Sequence, residues 1–335
     1  MDINMRMKFR RLFLILALVC GVSLVFNGCG EQKTYRVGIL SGFDYFATTA
    51  DGFKEKMTEL GYIEGKNISY DIRKTNIDPV KEEFILKEFV ANKVDLILTF
   101  PTEVSVAAKA AIHGTNIPLV FANAFIEGVD LVKSVREPGG NITGVRFPAP
   151  DLALRVFEIM RELVPNAKRF WLAYQRNTPY VPCQLEILRP AAVAVGVRLL
   201  EVPASNKAEI EADLRARPKG GDTGMDAMMM IAEGLATSPE IFVVLGKFAV
   251  EHKIPIGGAL MSVDGYESIF GGAPDNIAVG KQAALLADKI FKGTPAGTIP
   301  VISAESILTI NYKAAQKIGL NISEELLAQA AQVIR

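Results

Sequence analysis

The residues that most often carry catalysis are sparse in this 335-residue chain. Its two histidines, His113 and His252, fall near the ends of predicted helices, where a structural or surface role is expected. The sequence has no H-E-x-x-H or paired-cysteine metal motif, and it has no phosphate-binding loop, dinucleotide fingerprint or G-x-S-x-G serine motif. Nothing brings together a nucleophile, a base and a group that orients the base. We therefore expect a binding protein rather than an enzyme, with no metal and no cofactor.

The cysteine at position 29 has a chemical context of its own. Four basic residues within 1–11 precede an apolar run of fifteen residues, 12–26, and then come Asn27, Gly28 and Cys29. The run is shorter than the about 20 residues that cross a bilayer, and the pattern is typical of an export signal. A small residue before a cysteine resembles a bacterial lipoprotein signal, in which the cysteine is lipidated. We expect removal of residues 1–28, lipidation of Cys29 and a membrane-anchored protein facing the periplasm or the extracellular side; the alternatives are an uncleaved anchor or a cut elsewhere.

The composition restricts the class of partner. Residues 29–335 contain 33 basic and 36 acidic residues without a cluster of Lys and Arg. Nucleic acid is therefore not expected as a partner, because its binding depends on clustered cations that neutralise phosphates. With 50% hydrophobic residues, about 300 residues suffice for two domains. Besides Cys29, only Cys183 remains after processing, so the sequence predicts no intramolecular disulfide.

Short β-rich segments alternate with helical patterns, which is typical of a parallel sheet with crossover helices. Strands are predicted at 36–40, 67–72, 94–98, 117–121 and 141–145, and again at 169–174, 197–202, 227–231, 254–256 and 307–310. The pair Asp78-Pro79 predicts the start of one of the helices between them. The predicted fold class is α/β, with two Rossmann-like lobes that have parallel sheets and face each other across a cleft.

The repeated pattern also predicts the division of the chain. The expected parts are a signal peptide (1–28), a tether (29–34), an N-terminal lobe (35–146 plus 268–300) and a C-terminal lobe (147–267 plus 301–335). The chain is expected to cross between the lobes near 145–150, 263–270 and 299–305. Ligands of such sheets bind outside the carboxyl ends of the strands, often between domains. The cleft is therefore the predicted site.

Four segments resemble a known family. They are 35–40 (YRVGIL), 61–68 (GYIEGKNI), 94–99 (VDLILT) and 310–320 (INYKAAQKIGL). With them, essentially all of 35–334 resembles the ABC transporter substrate-binding proteins, a family that includes tryptophan- and tyrosine-binding lipoproteins. The resemblance implies a periplasmic-binding-protein type I fold, whose lobes close on a small molecule and present it to a membrane permease.

Candidate ligand contacts lie where the predicted strands end at the cleft. They are Ser41, Gly42, Phe43, Asp44, Tyr45, Phe100, Thr102, Asn123 and Arg146 in the first lobe, and Tyr174, Glu233 and Gly258 in the second. Thr102 is predicted to cap a helix whose N-terminus could bind a carboxylate. Glu233 or Asp44 could pair with an ammonium group, and Phe43, Tyr45 or Tyr174 could stack on an apolar side chain or ring. Each residue also has a structural interpretation, as a cap, a turn residue, a core residue or a carboxylate facing water.

This set predicts an amino acid or a related small zwitterion as the ligand. Arg146 is the exception, because it could hold the carboxylate of a more acidic ligand. The resemblance implies a protein that serves an ABC importer by hinge closure, and we expect it to be a monomer. Two further classes stay open at this point. One is a sensory module that reports the ligand to a receptor, and the other is an exported α/β enzyme that uses carboxylates of the cleft.

Overall fold

The computed structural model describes residues 33–218 and 222–335. The predicted export signal and Cys29 lie outside the described residues. Within the described part of the chain, no helix combines the length and the hydropathy that a membrane span needs.

A six-stranded parallel sheet forms the centre of the first lobe. Its strands are β1 (Tyr35–Ser41), β2 (Ile68–Lys74), β3 (Leu96–Phe100), β4 (Leu119–Ala124), β5 (Ile142–Arg146) and β13 (Ile302–Ser303). They lie in the order β13-β5-β4-β3-β1-β2. Every residue of β3 and β4 is buried, as expected of parallel strands that helices cover on both faces.

Helices cover both faces of this sheet. They are α1 (Ala47–Glu59), α2 (Pro79–Ala91), α3 (Thr102–Ala111) and α8 (Asn276–Phe291). Phe53 of α1 and Val279 of α8 belong to the core on one face, and Phe89 of α2 belongs to the core on the other. Asp78 caps α2 by accepting from two N–H groups of its first turn, which confirms the start that the Asp78-Pro79 pair predicts.

The second lobe repeats this arrangement with a four-stranded parallel sheet. Its strands are β6 (Arg169–Gln175), β7 (Arg198–Ala204), β8 (Ala227–Met229) and β9 (Ile256–Gly257), and its helices are α4 (Ala149–Leu163), α5 (Pro182–Ala194), α6 (Lys207–Ala216) and α7 (Pro239–His252). The strands lie in the order β7-β6-β8-β9. Phe157 and Leu188 belong to the core on one face, and Trp171 and Phe242 belong to the core on the other.

A small third sheet belongs to the second lobe, because Phe270 and Ile310 pack in that lobe's core. Its strands are β12 (Phe270–Pro274), β14 (Ser306–Asn311) and β15 (Gln332–Ile334). The remaining described elements are a hairpin of β10 (Ser262–Val263) with β11 (Tyr266–Glu267), the helices α9 (Tyr312–Lys317) and α10 (Glu324–Gln329), and two 3-10 turns at Asp44–Phe46 and Ala296–Thr298. β12 is antiparallel to β14, and β15 is parallel to β14.

The path between the lobes differs from the predicted division at two places. The chain passes from β12 to α8 at Asp275 rather than near 263–270, because β12 pairs with β14 of the second lobe. Residues 301–303 lie in the first lobe, because β13 pairs with β5. The segment FGGAP of β12 has a weak strand pattern, since glycine and proline are depleted in strands. The α/β class, with parallel sheets in two lobes, is confirmed.

Candidate ligand-binding site

The backbone of the loop after β1 is fixed by its first two residues. The hydroxyl of Ser41 donates to the carbonyl oxygen of Phe43 at 2.9 Å. The N–H of Gly42 donates to the carbonyl oxygen of Phe100 at 2.8 Å. Phe100 itself is fully buried in the core of the first lobe, so its side chain stabilises the sheet below the cleft. These three residues shape the loop at the strand end.

The side chains of the same loop point outward. Phe43 and Tyr45 are 43% and 66% exposed, and the Tyr45 ring meets the ring of Phe46 edge to face with centroids 5.0 Å apart. Asp44 pairs with Lys74 at the end of β2. Because Lys74 compensates its charge, Asp44 is a poor candidate for the partner of a ligand ammonium group. The two aromatic rings remain accessible to a ligand.

Thr102 connects two strand ends instead of capping a helix. It is the first residue of α3, the preceding position is Pro101, and no side chain caps this helix. Its hydroxyl oxygen accepts from the N–H of Phe125 at 2.9 Å. The predicted cap is therefore wrong, because Thr102 lies inside the helix and its hydroxyl is used by the loop after β4. The N–H groups of the first turn of α3 have no acceptor within the helix.

Asn123 joins the end of β4 to the two helices α1 and α8. It has a left-handed backbone, with φ of 49°, and its side chain is buried. Its amide donates to the hydroxyl of Thr49 at 3.2 Å and to the side-chain oxygen of Asn276 at 3.0 Å. The amide of Asn276 in turn donates to the carbonyl oxygen of Tyr45 at 2.8 Å. Asn123 thus ties the loops after β1 and β4 to the start of α8.

Arg146 is compensated by neighbours at the first crossing. Its guanidinium pairs with Glu127 and lies 3.3 Å from Asp151. Its Nε donates to the hydroxyl of Ser303 at 2.7 Å. With two carboxylates beside it, this guanidinium carries no spare positive charge for a ligand carboxylate.

Tyr174 is turned toward the neighbouring strand. Its hydroxyl donates to Glu201 of β7 at 2.9 Å, and its ring packs against the core of the second lobe. Burial, followed by the negative charge of Glu201, raises the pKa of Tyr174. Arg189 binds the same carboxylate through two hydrogen bonds of 2.9 Å. These contacts give Tyr174 a role in holding β6, β7 and α5 together.

Glu233 organises the loop after β8. Its buried carboxylate accepts from the N–H of Gln175 at 3.1 Å, of Leu235 at 2.8 Å and of Ala236 at 2.6 Å. Burial raises the pKa of Glu233, and the backbone hydrogen bonds oppose this shift. The carboxylate therefore fixes the loop after β8 against the end of β6, where a ligand of the cleft would lie.

Gly258 permits a close backbone approach in the second lobe. Its φ is 118°, a conformation that L side chains rarely adopt. A Cβ at this position would lie 2.0 Å from the carbonyl oxygen of Met230. Its N–H donates to the carbonyl oxygen of Phe270 at 3.0 Å. The requirement for glycine thus comes from the packing of β8, β9 and β12.

The two lobes meet at an aromatic pair that the sequence did not predict. Phe125, after β4, stacks on Tyr180, before α5, with ring centroids 4.0 Å apart and planes at 16°. Burial, with the negative charges of Glu103 and Glu233, raises the pKa of Tyr180 to about 12. Glu103 lies in the first turn of α3, and Glu233 lies in the loop after β8. Phe125 follows the predicted strand end closely, but no pattern in the sequence marks Tyr180 as its partner.

Among the described residues, two of the cavities lie at strand ends. One, of about 600 Å³, lies at the carboxyl ends of β6 and β7, where Gln175, Gly234 and the first residues of α6 and α7 line it. The other, of about 350 Å³, is lined by Tyr35 and Phe291 at the amino ends of the first sheet. The first cavity adjoins the loop that Glu233 fixes. The second lies at the edge of the sheet opposite the predicted cleft, so we do not assign it to the ligand.

The described geometry matches a known family. The family model for ABC transporter substrate binding proteins matches residues 39–334. The chain belongs to this family. Its members are extracytoplasmic substrate-binding proteins for small molecules rather than enzymes, so the exported enzyme is excluded as an alternative. The predicted family and its type I periplasmic-binding-protein fold are confirmed.

Proteins similar to this chain are known from several bacteria. A Tyrosine-binding protein of Clostridioides difficile is 27% identical, over 88% of this chain and 87% of the relative. A conserved domain protein from Vibrio cholerae is 26% identical, with a TM-score of 0.73 over 90% of this chain and 100% of that chain. An ABC domain in complex with L-Trp from Streptococcus pneumoniae is 22% identical, with a TM-score of 0.75 and the same coverage. This last likeness shows the shared fold.

Proposed function

We propose that this substrate-binding protein captures an amino acid, or a related small zwitterion, and delivers it to the permease of an ABC importer. The observation that carries the ligand class is the stacked Phe125–Tyr180 pair where the lobes meet, with Glu103 in the first turn of α3 and the carboxylate of Glu233 in the loop after β8. Carboxylates favour an ammonium group, and aromatic faces favour an apolar or aromatic side chain. The described tyrosine-binding relative and the L-Trp complex support the same class.

The N-terminus of α3 supplies the third feature that an amino acid requires. This helix has no side-chain cap, and the hydroxyl of Thr102 is used by Phe125. The first N–H groups of a helix bind anions well, because they lack intrahelical acceptors and lie at the positive end of the helix dipole. The first N–H groups of α3 would donate hydrogen bonds to the ligand carboxylate. Arg146, with its charge compensated by Glu127 and Asp151, is not needed for this role.

Anchoring and delivery belong to the same proposal. An export signal followed by Cys29 supports removal of residues 1–28, lipidation of Cys29 and attachment of a monomer to a membrane by its acyl chains. An importer needs its binding protein close to the permease, and a lipid anchor keeps it there. A permease gene and an ATPase gene beside this one would support import over sensing.

Calorimetry tests the ligand class. L-Tryptophan and L-tyrosine should bind, whereas their analogues without the amino group, indole-3-propionate and 3-(4-hydroxyphenyl)propionate, should bind at least about tenfold more weakly, because the carboxylates of the cleft lose their cationic partner. Sugars, nucleosides and dicarboxylates complete the panel. Tight binding of a molecule without an amino group, with no binding of any amino acid, would contradict the proposal.

A further inference from the structure

We propose that an interlobe brace sets how closely the two lobes approach, and so how tightly the cleft holds its ligand. We define the interlobe brace as Phe125 and Gly128 of the first lobe with Pro179 and Tyr180 of the second. The inference deepens the proposed function, because the ligand of that function would occupy the space that the brace adjoins. It names Gly128 and Tyr180 as residues that determine the affinity for that ligand.

The aromatic half of the brace is held from both sides. The N–H of Phe125 donates to the hydroxyl oxygen of Thr102 at 2.9 Å, which fixes the loop after β4 to the start of α3. Phe125 also packs against Phe147 of the first crossing, with centroids 5.1 Å apart. The ring that the first lobe presents to Tyr180 is therefore supported by its own lobe and by the crossing.

Tyr180 is supported in the same way by Gln184, which is wholly buried in α5. The amide nitrogen of Gln184 donates to the carbonyl oxygen of Tyr180 at 3.0 Å and to that of Ala232 at 2.9 Å. Its amide oxygen accepts from the N–H of Ala232 at 3.1 Å. One side chain thus binds the loop of Tyr180 to the loop after β8. Because the loops that carry the two rings are fixed to their own lobes, the stacking of the rings depends on the angle between the lobes.

The backbone half of the brace is a contact that glycine permits. Gly128 has φ of 73°. A Cβ at this position would lie 2.0 Å from the carbonyl oxygen of Pro179, a distance far below van der Waals contact. Pro179 belongs to the loop after β6 in the second lobe. Any side chain at position 128 would therefore push the two loops apart.

The position of the brace amplifies such a displacement. Between Phe125 and Gly128 lies Glu127, which pairs with Arg146 at the first crossing. The brace is therefore near the segment about which the lobes would turn, and a small shift there becomes a larger one at the far rim of the cleft. Hinges of this kind change the orientation of whole lobes.

The test compares Gly128→Ala with Gly114→Ala. Gly114 has φ of 77° with nothing within 4 Å of an added Cβ, so both variants carry similar backbone strain and only Gly128→Ala meets Pro179. Without ligand, small-angle scattering should give Gly128→Ala a larger radius of gyration than the wild type, and Gly114→Ala the wild-type radius. Affinity for L-tryptophan should fall roughly threefold or more in Gly128→Ala alone, because fewer molecules reach the binding-competent state.

A second pair of variants tests the aromatic half. Tyr180→Leu should weaken L-tryptophan binding by about two- to tenfold, whereas Tyr180→Phe, which keeps the stacked ring, should bind as the wild type does. Wild-type radius and affinity in Gly128→Ala, or equal losses in the two Tyr180 variants, would overturn the proposal. Failure of the wild type to bind L-tryptophan would instead count against the proposed ligand class. The ligand-free radii of gyration of Gly128→Ala and Gly114→Ala would still test the brace.

Discussion

At the scale of residues, the carboxylate of Glu233 holds a loop, and we propose that it also binds the ligand. Its oxygens accept three backbone N–H groups, and a carboxylate has about four acceptor sites. A ligand ammonium group can therefore bind the same carboxylate that shapes the loop. The two roles can be separated by substitution. The role in the loop depends on an oxygen that accepts hydrogen bonds, whereas the role in ligand binding depends on the negative charge.

We expect Glu233→Gln to weaken L-tryptophan binding at least about tenfold, because the charge that would pair with the ammonium group is removed. The remaining amide oxygen keeps part of the loop's hydrogen bonding. Glu233→Ala removes every acceptor and should also lower the free energy of unfolding by about 1–3 kcal/mol, since buried N–H groups lose their partner. Calorimetry and urea unfolding measure the two effects. Wild-type affinity in Glu233→Gln would contradict the role in ammonium binding.

The pKa of Glu233 predicts a pH dependence of stability. Because burial raises the pKa in the folded state, the folded protein holds this proton more tightly than the unfolded chain does. Stability relative to Glu233→Gln should therefore be greatest below the unfolded pKa of about 4.3 and fall as the pH rises through the folded pKa. Urea unfolding of both proteins between pH 4 and pH 7 measures the difference. A difference that stays constant or grows with pH would contradict the assignment.

At the scale of elements, the sequence predicts long strands well and short ones poorly. The predicted strand 169–174 matches β6, and 36–40 lies within β1, because a buried run of apolar residues marks such strands. β13 and the β10–β11 hairpin strands have two residues each, too few for any period. β13 forms because the distant strand β5 supplies its partner, whereas β10 and β11 pair with each other across a two-residue turn.

The candidate site, too, was predicted only in part from the sequence. The rule that ligands bind at the carboxyl ends of parallel strands led to the loops after β1, β4 and β8. The rule does not predict the direction of a side chain. It therefore does not predict that Phe100 is buried in the core or that Arg146 forms an ion pair with Glu127. The stacking of Phe125 on Tyr180 depends on how the lobes face each other, which no local pattern contains.

The network around Asn276 gives a prediction for the start of α8. Asn276→Ala should lower the free energy of unfolding by about 1–3 kcal/mol, because the buried amide of Asn123 loses an acceptor. Lys281→Ala, on the same helix, removes an exposed ion pair with Glu55 and should matter less, since water screens such pairs. Urea unfolding compares the two. An equal or larger loss in Lys281→Ala would show that the network contributes little.

At the scale of the whole molecule, the proposed attachment of the protein to a membrane depends on Cys29. The wild type should fractionate with membranes and lose residues 1–28, because several acyl chains anchor a protein stably where one does so marginally. Cys29→Ala should be soluble or uncleaved, and Cys183→Ala is the matched control that should remain in the membrane fraction. Mass spectrometry of the mature N-terminus identifies the lipid. Release of the wild type with an unmodified Cys29 would refute the anchor.

The motion of the lobes follows from how they are joined. Within 33–218 and 222–335 the chain passes between them at three places, after β5, at Asp275 and after β13. Because few covalent links join the lobes, they can move relative to each other. A ligand that contacts both lobes shifts the population toward a closed form, since only a difference in contact between the two states can do so.

Saturating L-tryptophan should therefore reduce the radius of gyration in small-angle scattering. Indole-3-propionate at the same concentration is the control, since it keeps the ring but lacks the group that would bind Glu233, and it should close the cleft less. An unchanged radius with bound L-tryptophan would mean that the ligand enters a cleft already fixed at its final width, so that affinity would depend on contacts within the cleft and not on closure.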